Sequence, residues 1–182
     1  MPLLKERVYT TDDIYALPEG ERAELINGRI YMMGAPTYLH QTLSMELSGT
    51  IRDYIRRKKG SCQVLHAPLA VTLFEDNKTY VEPDVAVICD RNKITDKGIN
   101  GAPDFIIEIV SPSSRKMDYT TKNALYADAG VREYWIVDIA KNRITVYNFN
   151  HDYSIEEYSF TDTVKAGIYE DLSIDFSEIN IL

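Results

Sequence analysis

The chain has 182 residues, 45% hydrophobic and 26% charged, which suits one globular domain spanning 1-182 that buries its own core, and excludes a low-complexity or disordered protein. A formal net charge of −8 excludes a uniformly basic coat for nucleic acid. No apolar run approaches membrane-spanning length and Met1-Pro2-Leu3-Leu4-Lys5-Glu6-Arg7 carries no signal-like stretch, so the expectation is a cytoplasmic protein with no membrane partner.

The first element in chain order is a short capped helix, Thr11 to Leu17, closed by Pro18 and Gly20. Ala23 to Ile26 and Arg29 to Met33 flank Asn27-Gly28, a pair that tolerates positive φ at both turn positions and so predicts an N-terminal β-hairpin. Glu24 lies in its first strand, readable as a solvent-facing side chain or as a functional one. Thr37 to Lys59 predicts a long amphipathic helix. Thr37 can cap it, Leu39, Leu43, Leu47, Ile51 and Ile55 recur every fourth residue, and Gly60 can end it. His40 in its first turn reads as either a satisfied histidine or a substrate contact. Arg52, Arg56 and Lys59 share a face that suits phosphate.

Gln63 to Phe74 alternates as a strand, and Glu75 to Lys78 turns it into Val81 to Ile88. In that strand, period two sets Asp84 on the face of Ala86 and Ile88. Arg91 to Pro103 reads as a long loop. Phe105 to Val110 is apolar on both faces except for Glu108, so two carboxylates stand where isolated burial would cost several kcal/mol. Cys62 and Cys89 lack metal or redox spacing and read as buried free thiols.

Ser111 to Ser114 breaks the chain before a helix from Asp118 to Ala129, ended by Gly130. Asp118, Lys122, Leu125, Tyr126 and Ala129 form its inward stripe, so Lys122 either snorkels out, pairs with Asp118, or joins a site. Arg132 to Ile139 and Arg143 to Phe149 read as strands around a Lys141-Asn142 turn, the first reached by a crossover from the strand of Glu108. Tyr134 and Trp135 fit a core or an interface between copies. From Asn150 onward eight acidic residues and Lys165 give a local charge of −7. Short strands and a turn at Ser177 to Asn180 are expected there. The remaining body is nearly neutral, so clusters at Arg52, Arg56 to Lys59 and Arg115-Lys116 can still present a positive face to DNA.

Carboxylates at Asp84 and Glu108, a third candidate at Glu24 and an inward lysine suit a hard divalent cation such as Mg2+ or Mn2+. Such an ion acidifies a bound water and polarises a phosphodiester. No P-loop, zinc HExxH, nucleophile elbow or dinucleotide glycine motif competes.

Glu82-Pro83-Asp84, the run Pro103 to Ser113, Asp118 to Lys122, Tyr126, Gly130-Val131 and Glu133-Tyr134-Trp135 together resemble the PD-(D/E)XK nuclease superfamily. Glu24-Leu25-Ile26-Asn27-Gly28 and His40 join the resemblance, which is nearest to a poorly characterised bacterial branch of restriction-endonuclease-like proteins. It implies an α/β fold with a central mixed sheet flanked by helices, Asp84 and Glu108 as catalytic metal ligands, and Mg2+-dependent endonucleolytic hydrolysis of DNA. The superfamily lysine two positions after the acidic residue is replaced here by Val110. The resemblance implies that Lys122 serves in its place, with Glu24 as an accessory acidic residue and His40 toward the substrate; Arg52, Arg56 and Arg115, from the basic clusters, are also expected to meet the substrate. A homodimer is expected, because cutting both strands of a duplex in one encounter needs two sites. The other reading is a nuclease fold kept as a nucleic-acid-binding or protein-binding module.

Overall fold

The computed structural model describes residues 7–179. Most of the leader segment and the end of the Ser177 to Asn180 turn lie outside the described residues. In chain order the elements are α1 (Thr11–Tyr15), β1 (Ala23–Ile26), β2 (Arg29–Met32), α2 (Tyr38–Arg57), β3 (Gln63–His66), β4 (Val71–Thr72), β5 (Val85–Ile88), β6 (Ile94–Thr95), β7 (Gly98–Asn100) and β8 (Phe105–Ile109). A π-helical turn, Met117–Lys122, then runs into α3 (Asn123–Ala129), followed by β9 (Glu133–Asp138), β10 (Arg143–Asn148), β11 (Ser154–Ser159), β12 (Thr163–Lys165) and β13 (Ser173–Asp175).

A six-stranded sheet in the order β11-β10-β9-β8-β5-β3 organises the molecule. Only β8 and β9 run parallel; the other pairings are antiparallel. This is the mixed sheet expected from the sequence, with the π turn and α3 forming the crossover between its two parallel strands. Alternation along the strands splits the core in two. Val85, Val87, Phe105, Ile107, Trp135 and Val137 face α2 and the C-terminal β12–β13 hairpin. Ala86, Ile88, Ile106, Tyr134 and Ile136 face α3 and the small β4-β7-β6 sheet. Trp135 and Tyr134 are fully buried, which settles them as core side chains.

Local chemistry accounts for the main boundaries. Asn27 and Gly28 take φ of 51° and 75°, as the hairpin turn demands. The Thr37 side chain accepts from the backbone N–H of His40 and caps α2. At the other end Lys59, not Gly60, adopts the left-handed conformation, with φ 55°.

Four expectations need correction. Gln63 to Phe74 divides at Ala67-Pro68 into β3 and β4, which belong to different sheets, because proline has no N–H for a ladder. Arg91 to Pro103 is not a plain loop; β6 and β7 pair within it and β7 continues onto β4. The helix over Asp118 to Ala129 opens in a π turn. Finally, Cys62 and Cys89 are joined in a disulfide rather than free. The β3–β5 register matches Gln63 with Ile88, so residues 62 and 89 fall opposite one another. Among the described residues no helix is long and apolar enough to cross a membrane.

Leu47 is fully buried between α2 and the sheet. Leu47→Ala is expected to remove about 3 kcal/mol of stability in urea unfolding. A loss below about 1 kcal/mol would show that α2 is not seated as described.

Candidate active site

The β5–β8 register pairs Val85 with Ile107 and Ala86 with Ile106. Continued by one step, it sets Asp84 opposite Glu108, and cross-strand neighbours of this kind hold their Cβ atoms about 5 Å apart. Both belong to the sheet face that packs against the π turn and α3, as the alternation of Ala86, Ile106 and Val110 shows. Asp84 lies at the mouth of the site, its Oδ2 accepting from the Ile109 N–H at 2.7 Å and from His40 Nε2 at 3.1 Å. Ser44 in α2 donates to the Asp84 carbonyl, tying the helix to the same point.

Glu108 lies deeper, 4% exposed. Its Oε1 accepts from Lys122 Nζ at 3.0 Å and from the Tyr126 hydroxyl at 2.6 Å. Lys122 reaches inward from the π turn, whose wide pitch precedes α3, and π turns recur at functional sites. The Lys122 ammonium also lies 2.9 Å from Glu24 Oε1 and 3.6 Å from Asp118 Oδ1. Glu24 Oε1 accepts in addition from the Glu82 N–H, which fixes the β1–β2 hairpin against the segment leading into β5. Glu82 itself is held by Arg22 and by the Tyr80 hydroxyl. Val110, where a lysine stands in the superfamily pattern, is a buried core residue. The cation beside Glu108 therefore comes from the crossover and not from β8.

Glu24, Glu108 and Asp118 thus gather around Lys122, with Asp84 acting on Glu108 from alongside and His40 at the rim. Burial pushes the Glu108 carboxyl well above the usual carboxylate range; Lys122 pulls the other way, while Asp84, Asp118 and Glu24 push it higher still. Burial also raises Asp118, against the pull of Lys122. Lys122 is held well above its ordinary value, because the three carboxylates outweigh the burial that would discharge it. Burial alone would depress His40, but the hydrogen bond and charge of Asp84 leave it raised. Lys122 and Tyr126 both donate to Glu108 Oε1, so Oε2 is the oxygen left for a proton. Asp118 Oδ1 is buried without a hydrogen bond.

The structure brings together Glu24, His40, Asp84, Glu108 and Lys122, and leaves the arginines elsewhere. Arg52 and Arg56 follow His40 by 12 and 16 positions in α2, about 18 and 24 Å along the axis. Arg52 contacts its neighbour Asp53. Arg115 forks onto the fully buried Asp138 with two bonds of 2.8 Å. Two participants went unread in the sequence, the Tyr126 hydroxyl on Glu108 and the Arg22–Glu82–Tyr80 brace beside Glu24. Tyr126 could have been found, since it lies four residues after Lys122 on the same stripe. The brace could not, as its partners are far apart in sequence. Among the described residues no three His, Cys, Asp or Glu side chains converge on a ready-made cation site.

A mixed sheet with a lysine-centred carboxylate cluster at its strand ends is the architecture of a nuclease-like protein, and comparison with known proteins agrees. The Uma2 family, described as "Putative restriction endonuclease", matches residues 11–177, and the chain belongs to that family. A Synechocystis protein, slr1290, described as uncharacterized, is 28% identical over 133 residues, covering 72% of this chain and 68% of its own. The crystal structure of an Anabaena variabilis protein, titled a putative nuclease belonging to DUF820, shares the fold with a TM-score of 0.76. It is 20% identical, and the match covers 93% of this chain and 96% of that one.

Glu108, Asp118 and His40 all have raised pKa values. Folding therefore retains protons at this site; its contribution is fullest below the ordinary unfolded pKa values and declines as pH rises through the raised ones. Urea unfolding is expected to show lower stability at pH 8 than at pH 5.5, with Glu108→Gln flattening the slope. A stability that climbs between those pH values would contradict the protonation assigned to Glu108.

Proposed function

We propose that the chain is an endonuclease that hydrolyses phosphodiester bonds of DNA with Mg2+ or Mn2+. The observation that carries this reading is Lys122, 3.0 Å from Glu108 although the position just after β8 that should supply a lysine holds Val110. A lysine delivered from another element to the same carboxylate supports a substituted site rather than a lost one. The donor chemistry fits a hard cation in type: Asp84 uses only Oδ2 and Glu108 only Oε1 in the hydrogen bonds described, leaving one oxygen on each of two facing carboxylates. Two carboxylates with water and substrate oxygens are a common Mg2+ shell.

Asp84 and Glu108 would hold the cation, which supplies an acidified water and a polarised phosphate. The Ile109 N–H and His40 fix the direction of the Asp84 carboxylate, and Tyr126 fixes that of Glu108. Lys122 then places a permanent positive charge where negative charge grows on the phosphate oxygens during attack. Glu24 anchors that ammonium, so its part is positioning.

Supercoiled plasmid with the purified protein and Mg2+ or Mn2+ is expected to be nicked. Asp84→Ala and Glu108→Gln should abolish nicking, and Lys122→Met should slow it by about 10²–10³-fold. Nicking that survives Asp84→Ala, or a folded wild-type protein that never nicks under either ion, overturns the proposal. We also take two copies as the working unit for cleaving a duplex. Light scattering should give twice the chain mass of 20.8 kDa, and a monomer at assay concentration would refute that part.

A further inference from the structure

Separate from the carboxylate cluster is a cavity of about 390 Å³ lined by Pro112, Arg115, Lys116, Tyr119, Lys141 and Arg143. Four of those six side chains are cationic and none is acidic, in a chain whose net charge is −8. Two of the charges are matched. Arg115 forks onto Asp138 and Arg143 pairs with Glu157. Lys116 and Lys141 are exposed, and Lys141 acts on the Asp138 carboxylate, which Arg115 already holds. The matched pairs fix the two arginines in place, while the two exposed lysines leave the cavity lining with more cationic than anionic charge. The Tyr119 ring lies beside the Arg143 guanidinium, 5.9 Å from it, and supplies an apolar wall.

The fold sets this cavity on the same rim as the candidate active site. Pro112 and Arg115 follow the end of β8, Lys141 follows the end of its parallel neighbour β9, and Asp84 lies across from Glu108 near the end of β8. In mixed α/β sheets ligands collect outside such carboxyl ends. Arg115, Lys116 and Tyr119 precede and enter the π turn whose other side carries Asp118 and Lys122. From β5 to β9 is two strand spacings, about 10 Å. That is about three steps of rise along one DNA strand. A strand whose scissile phosphate lay at Asp84 and Glu108 would thus bring a phosphate a few nucleotides away to the cavity.

We propose that this cavity is a phosphate-binding subsite for a nucleic-acid strand, with Lys116 and Lys141 as the contacting cations. The ligand rests on the nuclease reading above, but binding here requires neither the metal nor turnover. It also explains how an acidic protein meets a polyanion: attraction is confined to one rim, where the charge is needed.

The test uses the full chain in EDTA with fluorescein-labelled single-stranded DNA, either 5′-phosphorylated or hydroxyl-ended, followed by anisotropy across a salt series. Lys116→Ala/Lys141→Ala is expected to weaken binding severalfold and to lower the slope of log affinity against log salt by about 1 for each lysine removed. Lys165→Ala, an exposed lysine on β12, should change neither. Tighter binding of the phosphorylated strand would assign the cavity to a terminal phosphate, and equal binding to the backbone; both support the subsite. Unchanged affinity and slope in the double variant, an equal loss in Lys165→Ala, or no binding by the wild type would overturn it. Normal nicking alongside unchanged binding in the double variant rejects the subsite and leaves the nuclease. Lysine-dependent binding without nicking keeps the subsite and rejects the nuclease.

Discussion

The ammonium of Lys122 is buried between Glu24 and Glu108 and within 3.6 Å of Asp118, and the arrangement of the surrounding elements depends on it. It links β1, β8 and the π turn, which are distant in sequence and belong to different layers. Without a cation, three buried carboxylates would repel one another, and leaving such charges unpaired costs several kcal/mol. The reverse also holds, because a lone buried lysine would discharge. Each makes the other tolerable, and the hairpin, the sheet and the crossover helix are thereby held in one register. One ammonium still faces three acidic groups, with Asp84 acting on Glu108 from alongside, so the cluster carries more negative charge than it can neutralise. Burial together with that excess raises the pKa values of Glu108 and Asp118.

Much of this was legible in the residues. Period-two alternation puts Glu108 on a core strand and Asp84 on the matching face, although β5 begins only at Val85 and leaves Asp84 in the bend before it; Asn27-Gly28 announces the hairpin, and the stripe through Asp118, Lys122 and Tyr126 turns the lysine inward. These signals are local, each set by a few neighbouring side chains. What stayed hidden depends on pairing between distant segments. No local pattern shows that Asp84 falls opposite Glu108, that Cys62 falls opposite Cys89, or that Arg115 is committed to Asp138. The short strands β6 and β7 were missed for the same reason, since they are stable only because β4 lies alongside. The basic face of α2 was read correctly as a face. Its distance from the site follows from the helix's length and direction, and only the fold reveals that.

The charge layout gains a meaning from the same geometry. Acidic groups gather inside, around Lys122, and in the C-terminal segment, whereas the cavity beyond β8 and β9 has four cationic side chains and no carboxylate in its lining. An overall charge of −8 keeps polyanions off most of the surface. On the proposed reading, the rim that combines the carboxylate pair with the basic cavity is where a phosphodiester strand would be admitted, with the cavity holding one phosphate and the cluster addressing another.

In the proposed site Asp84 and Glu108 hold a divalent cation beside Lys122, and because burial raises the pKa of Glu108, binding of the cation is expected to exchange for protons. Calorimetric titration of the protein with Mn2+ in two buffers of different ionisation enthalpy measures that exchange directly. The expected result is saturable binding whose apparent enthalpy differs between the buffers, showing proton release, with both binding and release lost in Glu108→Gln. Absence of binding, or binding with the same enthalpy in both buffers, would contradict the claim.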